Sequence, residues 1–404
     1  LKLIVYNDDK TTTNYEIKKE NFSDKSLKDR VFYIASNSKE QNALKIFYSY
    51  FSGAKSILFD SSNKILQKEL EDLNIPDFKA SIKVENIFDK YDFSFLYYTS
   101  GSTGYPTAAL KTKENISSEV EDLTALLSSY KIKRVIVTVP FIHIYGSLFG
   151  LFYPLKNSID IVLKEHFLPN DLLDLIDDYS LVVTTPLYIK ALNKLSSTKD
   201  LSKSIFISST APLLGEDARE FKEKFNSNII QIFGSTETGG IAYKYNNDEI
   251  WSALKSVELM VNNENSLRVK SPYVSEILYE KEFKNTNKEI QTFDFVELFD
   301  NRFKLIGRSS QILKIAGKRY STIQIENILE KIDEISKALV LVNSNQNSLK
   351  DEVLDITLET KREFSVKEIQ NILKEELSNL KFSINLKLVD KIKISSTGKK
   401  LAIQ

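Results

Sequence analysis

The sequence predicts an α/β fold with two parts. A large N-terminal domain of layered sheets and helices spans residues 1–308, and a small α+β C-terminal domain spans 309–404. Three observations predict it. Up to about residue 305, short apolar β-type runs alternate with helical stretches, the pattern of stacked α and β layers. The runs are apolar at nearly every position, as in largely parallel strands buried on both faces. Beyond that point the rhythm changes to β-β-α-β-β-α-β within about 95 residues, a usual domain size.

The expected strands of the first part are Val31–Ala35, Ser56–Phe59, Phe93–Tyr98, Val135–Val139, Leu181–Thr184, Ser204–Ser208 and Ile229–Phe233. Helices are expected at Glu40–Phe51, Glu114–Ser129, Asp171–Asp178 and Gly215–Phe225. The longest uncharged run, Val135–Leu155, holds Pro140, Pro154, Gly146 and Gly150, a poor composition for one unbroken helix. It reads as a buried strand, a loop, and a helix from about Tyr145, so no membrane span is expected. In the second part Gln311–Ala316 and Lys318–Ser321 suggest a hairpin around Gly317. Ile323–Ile332 and Val366–Leu377 read as helices, and Lys337–Val342, Val353–Glu359 and Leu386–Val389 as strands.

Composition narrows the function. Lys+Arg and Asp+Glu are both 55, so nothing global attracts nucleic acid or an anionic membrane. There is no cysteine, which excludes disulfides, thiolate metal sites and a cysteine nucleophile and fits a cytoplasmic protein. The two histidines are too few for a histidine-rich metal site. The chain starts at Leu1 and its only methionine is Met260, so a short leader is expected to be missing.

Four separated segments carry the chemistry. The first is Thr99-Ser100-Gly101-Ser102-Thr103-Gly104, after an apolar run; its glycines allow close backbone approach and its hydroxyls and amides suit a phosphate. By itself such a loop is most often a surface turn, and no Gly-Lys-Ser/Thr closes it as in a Walker A loop. The second is Phe233-Gly234-Ser235-Thr236-Glu237-Thr238-Gly239-Gly240, also at a strand end. The third is Thr292-Phe293-Asp294 with Gly307-Arg308, and the fourth Ser396-Thr397-Gly398-Lys399. Singly, Phe233 reads as core, Glu237 and Arg308 as surface charges, Asp294 as a turn residue and Lys399 as a solvated terminal lysine.

In this order and spacing, the four segments resemble the adenylate-forming superfamily of acyl- and aryl-CoA synthetases, luciferases and peptide-synthetase adenylation domains. The likeness covers about three-quarters of the chain, from Thr99 to Lys399. It implies a carboxylic acid activated by ATP with Mg2+ and passed to coenzyme A or to the phosphopantetheine of a separate acyl-carrier protein. The acid is expected to be aryl or medium-sized. Thr99, Ser100, Gly101, Ser102, Thr103 and Gly104 would cradle phosphates. Thr236 would contact the α-phosphate, Glu237 would hold Mg2+, and Phe233, Gly234 and Ser235 would border the nucleotide. Asp294 would take the ribose hydroxyls with Arg308 beside it. Lys399 would act from the mobile C-terminal domain, with Lys400 the competing candidate. His143 and Tyr145, in Pro140–Gly146, would face the acid, as would Ser208, Ser209, Thr210 and Gly239. A histidine in an apolar stretch also reads as a core residue, and both readings of His143 stand.

The chain departs from the family pattern in places. Thr107 stands where a phosphate lysine is usual, and Lys111 and Lys113 are the nearby replacements to weigh. Ser310 replaces the usual hinge residue, and Ser209-Thr210 replace two glycines. Only 98 residues precede Thr99, so the first subdomain is expected to be trimmed. The resemblance implies rotation about Ser309–Ser310, which withdraws Lys399 and presents the Lys314–Gly317 face to the acceptor thiol. Two other classes stay open: a degenerate, non-catalytic nucleotide- or acyl-binding relative, and a kinase or ATPase.

Overall fold

The computed structural model describes residues 1–78, 85–99, 107–308, 312–315, 318–343, 353–376, 383–394 and 400. The chain forms two compact units, one of Leu1–Leu259 with Val269–Ile290, the other of Met260–Arg268 with Gln291–Gln404.

Two sheets organise the first unit. In one, the strands Lys2–Tyr6, Asp160–Lys164, Arg134–Val137, Ser180–Thr184, Ile205–Ser208 and Asn228–Ser235 lie side by side in that order, all parallel. Thr12–Glu16 pairs antiparallel with Lys2–Tyr6 at one side, and Gly239–Tyr245 and then Ile250–Ala253 continue antiparallel at the other. The second sheet runs Val31–Ile34, Lys55–Leu58, Phe95–Tyr98, Ala108–Lys111, Ile277–Glu280, Glu282–Asn285, parallel at its start and antiparallel from Phe95–Tyr98 onward.

Period-2 alternation sorts these strands onto separate cores. Val135, Val137, Leu181, Val183, Ile205 and Ile207 join one apolar cluster with Phe32, Ile34, Leu58, Phe95 and Tyr97 of the second sheet. Ala43, Ile46 and Phe47 of helix Lys39–Ser52, and Ile116, Val120, Leu123 and Leu127 of helix Lys113–Leu127, belong to the same cluster, so these helices fill the space between the sheets. The intervening residues Ile136, Val182, Phe206 and Ile229 face another cluster, with Leu172, Ile189 and Phe221 from helices Pro169–Leu175, Pro186–Asn193 and Gly215–Phe225. Both central helices are capped: Ser38 Oγ accepts from Gln41 N–H, and Thr112 and Asn115 form a capping box.

The strand–helix alternation expected up to residue 305 stops earlier. After Ser235 the chain makes only strands to Arg308, without a helix among the described residues. The cause is turn chemistry. Asn246, Asn265, Lys281, Asn287, Lys288 and Asp300 adopt positive φ, which closes tight hairpins and denies the segment helical runs. Strands Lys2–Tyr6 and Asp160–Lys164 were not expected either; they complete the parallel sheet. In the Val135–Leu155 run, the strand ends at Val137 and helical structure starts at Ile144, with a π-helical stretch at Leu148–Phe152. No helix among the described residues is long and apolar enough to cross a membrane.

In the second unit, Glu289–Phe299 and Arg302–Arg308 form an antiparallel hairpin. Farther on, Ile312–Ile315 pairs with Lys318–Ser321, helix Thr322–Leu329 follows, and strands Ile335–Asn343, Val353–Thr360 and Ser383–Val389 make a three-stranded sheet with helix Val366–Glu376 before its last strand. Ile325, Leu329, Val340, Ile356, Leu358, Ile369 and Leu373 form its core. This is the expected element order.

Candidate adenylation site

In the first unit the candidate residues gather where strands end. Phe95–Tyr98 and Ala108–Lys111 pair antiparallel, and Thr99 N–H donates to Thr107 O at 2.8 Å, closing the stem of the expected phosphate loop. Ser100, Gly101, Ser102, Thr103 and Gly104 lie outside the described residues, as do Ser310 and Lys399.

The strand Asn228–Ser235 is bulged between Phe233 and Gly234 and turns back into Gly239–Tyr245. The turn is tight because Ser235 and Thr238 bind each other. Thr238 Oγ1 accepts Ser235 N–H at 3.0 Å, and Ser235 Oγ accepts Thr238 N–H at 3.2 Å. Gly234 allows the close return, since a Cβ there would stand 2.2 Å from Gly239 O. Gly239 sits at φ +71°, the left-handed region that favours glycine. Thr236 and Glu237 are left half-buried at the tip, available to a ligand. Phe233 packs against Trp251, with ring centroids 5.5 Å apart.

Beside this turn lies a buried charged network that sequence reasoning missed. Lys111 Nζ donates to the main-chain oxygens of Glu237, at 3.1 Å, and Tyr273, at 2.6 Å, with the residue 1% exposed. Glu119, 3% exposed, accepts Gly240 N–H on Oε1 at 2.6 Å. Asp122 accepts Ser256 N–H at 2.6 Å, Ser256 Oγ–H at 2.9 Å and the Tyr273 hydroxyl at 3.3 Å. Burial pulls the Lys111 pKa below the ordinary lysine value, with Glu119 and Glu237 opposing it. Burial likewise pushes Glu119 above the carboxylate range, against the pull of Lys111 and the Gly240 hydrogen bond. A lysine directly after the apolar run Ala108–Leu110 was the available signal, as were two acids beside the apolar stripe of helix Lys113–Leu127. Lys111 is therefore no substitute for the missing phosphate lysine, because its ammonium is committed to the interior. Lys113 Nζ lies 4.9 Å from the centre of the Tyr50 ring.

The residues expected to face the acid are partly interior. The Tyr145 hydroxyl is buried between Thr184 O, at 2.9 Å, and Ile207 O, at 2.8 Å. Gly146 is needed just after it, since a Cβ would lie 2.1 Å from Pro140 O. His143 is half-buried at the start of helix Ile144–Ser147. Ser208, at the carboxyl end of its strand, is buried with an Oγ that has no hydrogen-bond partner among the described residues. Ser209 Oγ donates to Ile232 O at 2.9 Å. Thr210 adopts φ +81°, a strained setting for a β-branched residue at a position where the resembled pattern carries glycine.

Glu165 fills the N-terminus of helix Lys39–Ser52: its carboxylate accepts Lys39 N–H at 2.8 Å and Glu40 N–H at 3.1 Å.

In the second unit, Asp294 and Arg308 stand opposite each other in the hairpin, and Arg308 Nε donates to Asp294 Oδ1 at 2.7 Å. Asp294 is 3% exposed, while its neighbour Phe293 is 73% exposed. Lys400, the competing candidate, is engaged within its own unit. Its ammonium binds Glu326 Oε2 at 2.8 Å, Glu330 Oε1 at 2.6 Å and Ala338 O at 2.7 Å. Burial disfavours its charge, but the two acids outweigh burial and raise its pKa.

The AMP-binding enzyme family matches residues 16–276, more than half of the chain, and the chain belongs to that family. A 4-coumarate--CoA ligase from Cereibacter sphaeroides is 23% identical over 254 residues, covering 62% of this chain. The chain spans 57% of the length of that relative. The O-succinylbenzoate coenzyme A synthetase of Bacillus subtilis in complex with AMP matches with a TM-score of 0.79 at 18% identity, over 99% of this chain and 94% of that one. The same synthetase in complex with ATP and magnesium ion matches at 0.76 and 17%, over 98% and 95%. At such identities the likeness establishes the fold.

Proposed function

We propose that the protein is an ATP-dependent acid–thiol ligase. The observation that carries this is the Ser235–Gly240 turn. It holds Thr236 and Glu237 at a strand end, in a chain that belongs to the AMP-binding enzyme family. The acid's carboxylate oxygen attacks the α-phosphorus of ATP, the bond to pyrophosphate breaks, and an acyl-adenylate forms. A thiol then attacks the acyl carbon, the bond to AMP breaks, and the thiol proton goes to solvent.

Each residue has a part. Thr99 and Ser100–Gly104 cradle the phosphates, and Thr236 donates to the α-phosphate. Phe233, Gly234 and Ser235 border the adenine side. Asp294 accepts from the ribose hydroxyls, with Arg308 holding its carboxylate in place. His143, Tyr145, Ser208, Ser209, Thr210 and Gly239 form the acid's surroundings. Lys399 stabilises charge on the α-phosphate, from a C-terminal domain of 309–404 that swings between half-reactions.

Mg2+ fits Glu237, a carboxylate oxygen donor, but no group of three acidic, histidine or cysteine residues could hold it alone among the described residues. When bound, it neutralises charge on the departing pyrophosphate.

With no cysteine in these 404 residues, the acceptor thiol belongs to coenzyme A or to the phosphopantetheine of a carrier protein. A cytoplasmic location and an aryl or medium-sized acid belong to the same reading. The test is product analysis with ATP, a panel of acids, and each acceptor. Acid-dependent AMP and thioester support the proposal; acid-independent ADP and phosphate would replace it with an ATPase.

A further inference from the structure

Burying both Lys111 and Glu119 is a costly way to fill the interior, since buried charges are commonly no more stabilising than apolar residues of the same volume. A leucine at 111 could pack in this site, yet it could not donate to two carbonyl oxygens at fixed positions. What the pair supplies is geometry. Lys111 holds Glu237 O, which also accepts Ser275 N–H at 2.9 Å, and Glu119 holds Gly240 N–H. The two charges thus grip both ends of Glu237–Gly240. Lys111 also sits on Ala108–Lys111, the return strand of the Thr99–Thr107 loop stem. One side chain therefore ties that stem to the turn carrying Glu237. The fit is close on both sides: a Cβ at Gly239 would stand 2.6 Å from Glu119 Oε2.

We infer that Lys111 and Glu119 are positioning residues for the adenylation turn: they fix the main chain at Glu237 and Gly240, and so the place from which the Glu237 carboxylate meets the metal–nucleotide. This rests on the proposed role of Glu237. Neither residue touches nucleotide; both act through the backbone.

The experiment compares the wild type with Lys111→Met/Glu119→Gln, which removes both charges and orphans neither. Glu119→Gln alone keeps an oxygen for Gly240 N–H. Folding is checked by circular dichroism. Amide hydrogen exchange is then read over residues 235–241, and the half-saturating Mg2+ concentration in ATP–pyrophosphate exchange is measured beside the KM for the acid. The double variant should exchange these amides about tenfold faster and need about tenfold more Mg2+, the worth of one charge-assisted hydrogen bond. Its acid KM should stay unchanged, and Glu119→Gln alone, which keeps the Gly240 acceptor but leaves Lys111 without its opposing charge, should fall between the two. A folded double variant with wild-type amide protection and Mg2+ dependence overturns the inference, as does an equal rise in Mg2+ requirement and acid KM. If the double variant does not fold, Lys111→Met alone takes its place with the same readouts, since Glu119 keeps Gly240 N–H and can go neutral by taking a proton. If the wild type catalyses no exchange with any acid, the functional reading fails, and hydrogen exchange still decides the positioning role.

Discussion

Replacing Gly239 by alanine separates backbone strain from steric conflict, because the chain contains its own control. Gly239 lies at φ +71° and Gly53 at φ +69°. An alanine at either position bears the left-handed penalty of about 1–2 kcal/mol. The surroundings differ. At Gly53 a new Cβ would meet, among the described residues, only Lys28 Cγ at 3.7 Å, an ordinary contact. At Gly239 the Cβ would meet Glu119 Oε2 at 2.6 Å and Tyr273 Cδ2 at 3.0 Å. Neither can swing aside: Glu119 is fixed by Gly240 N–H, and Tyr273 is buried. Overpacking of this kind costs about 1–3 kcal/mol more. Gly239→Ala should therefore lose about 2–5 kcal/mol and Gly53→Ala about 1–2 kcal/mol. Trp251, the only tryptophan, lies in the same unit and reports urea unfolding by fluorescence. Because the chain has two units, the comparison uses the single transition that Trp251 follows. Equal losses for the two variants would refute the steric argument.

Other consequences follow from the site. Lys399→Ala should abolish adenylate formation yet spare thioester formation from a supplied acyl-adenylate; equal loss of both steps in stopped assays would contradict its role. Lys400→Met should destabilise the C-terminal unit in a pH-dependent way. Glu326 is already raised above its ordinary value by burial, with Lys400 opposing. Losing Lys400 raises it further. A raised acid favours the folded state below its unfolded pKa and loses that contribution as pH rises through the folded value. The variant should thus fall further below the wild type at pH 7 than at pH 5. Amide exchange in Ile335–Asn343 measures this, and a deficit that shrinks with rising pH would be the wrong sign.

Much of the fold was legible because buried parallel strands leave continuous apolar runs. Leu181–Thr184 and Ile205–Ser208 could be read nearly to the residue, as could helix Gly215–Phe225. The hairpins from Gly239 to Arg308 were not. Their strands are half-exposed and their turns use Asn, Asp and Lys at positive φ instead of a plain Asn-Gly signal. The Ser235–Gly240 segment was legible as chemistry because its glycines and hydroxyls are contiguous. Its support was not, since Lys111 and Glu119 are far in sequence from Tyr273 and from the turn they hold, and meet them only through the pairing of Ala108–Lys111 with Ile277–Glu280 and the packing of helix Lys113–Leu127. Adjacent lysines 399 and 400 looked alike in sequence; only the acids of helix Thr322–Leu329 and the residue after it distinguish Lys400.

The central claim is that a carboxylic acid is activated on the α-phosphate of ATP. ATP–pyrophosphate exchange against aryl, fatty and amino acids tests it most directly. The account predicts exchange that requires Mg2+ and one class of acid and disappears in Glu237→Ala. A folded protein that binds ATP and catalyses no exchange with any of these acids would contradict it.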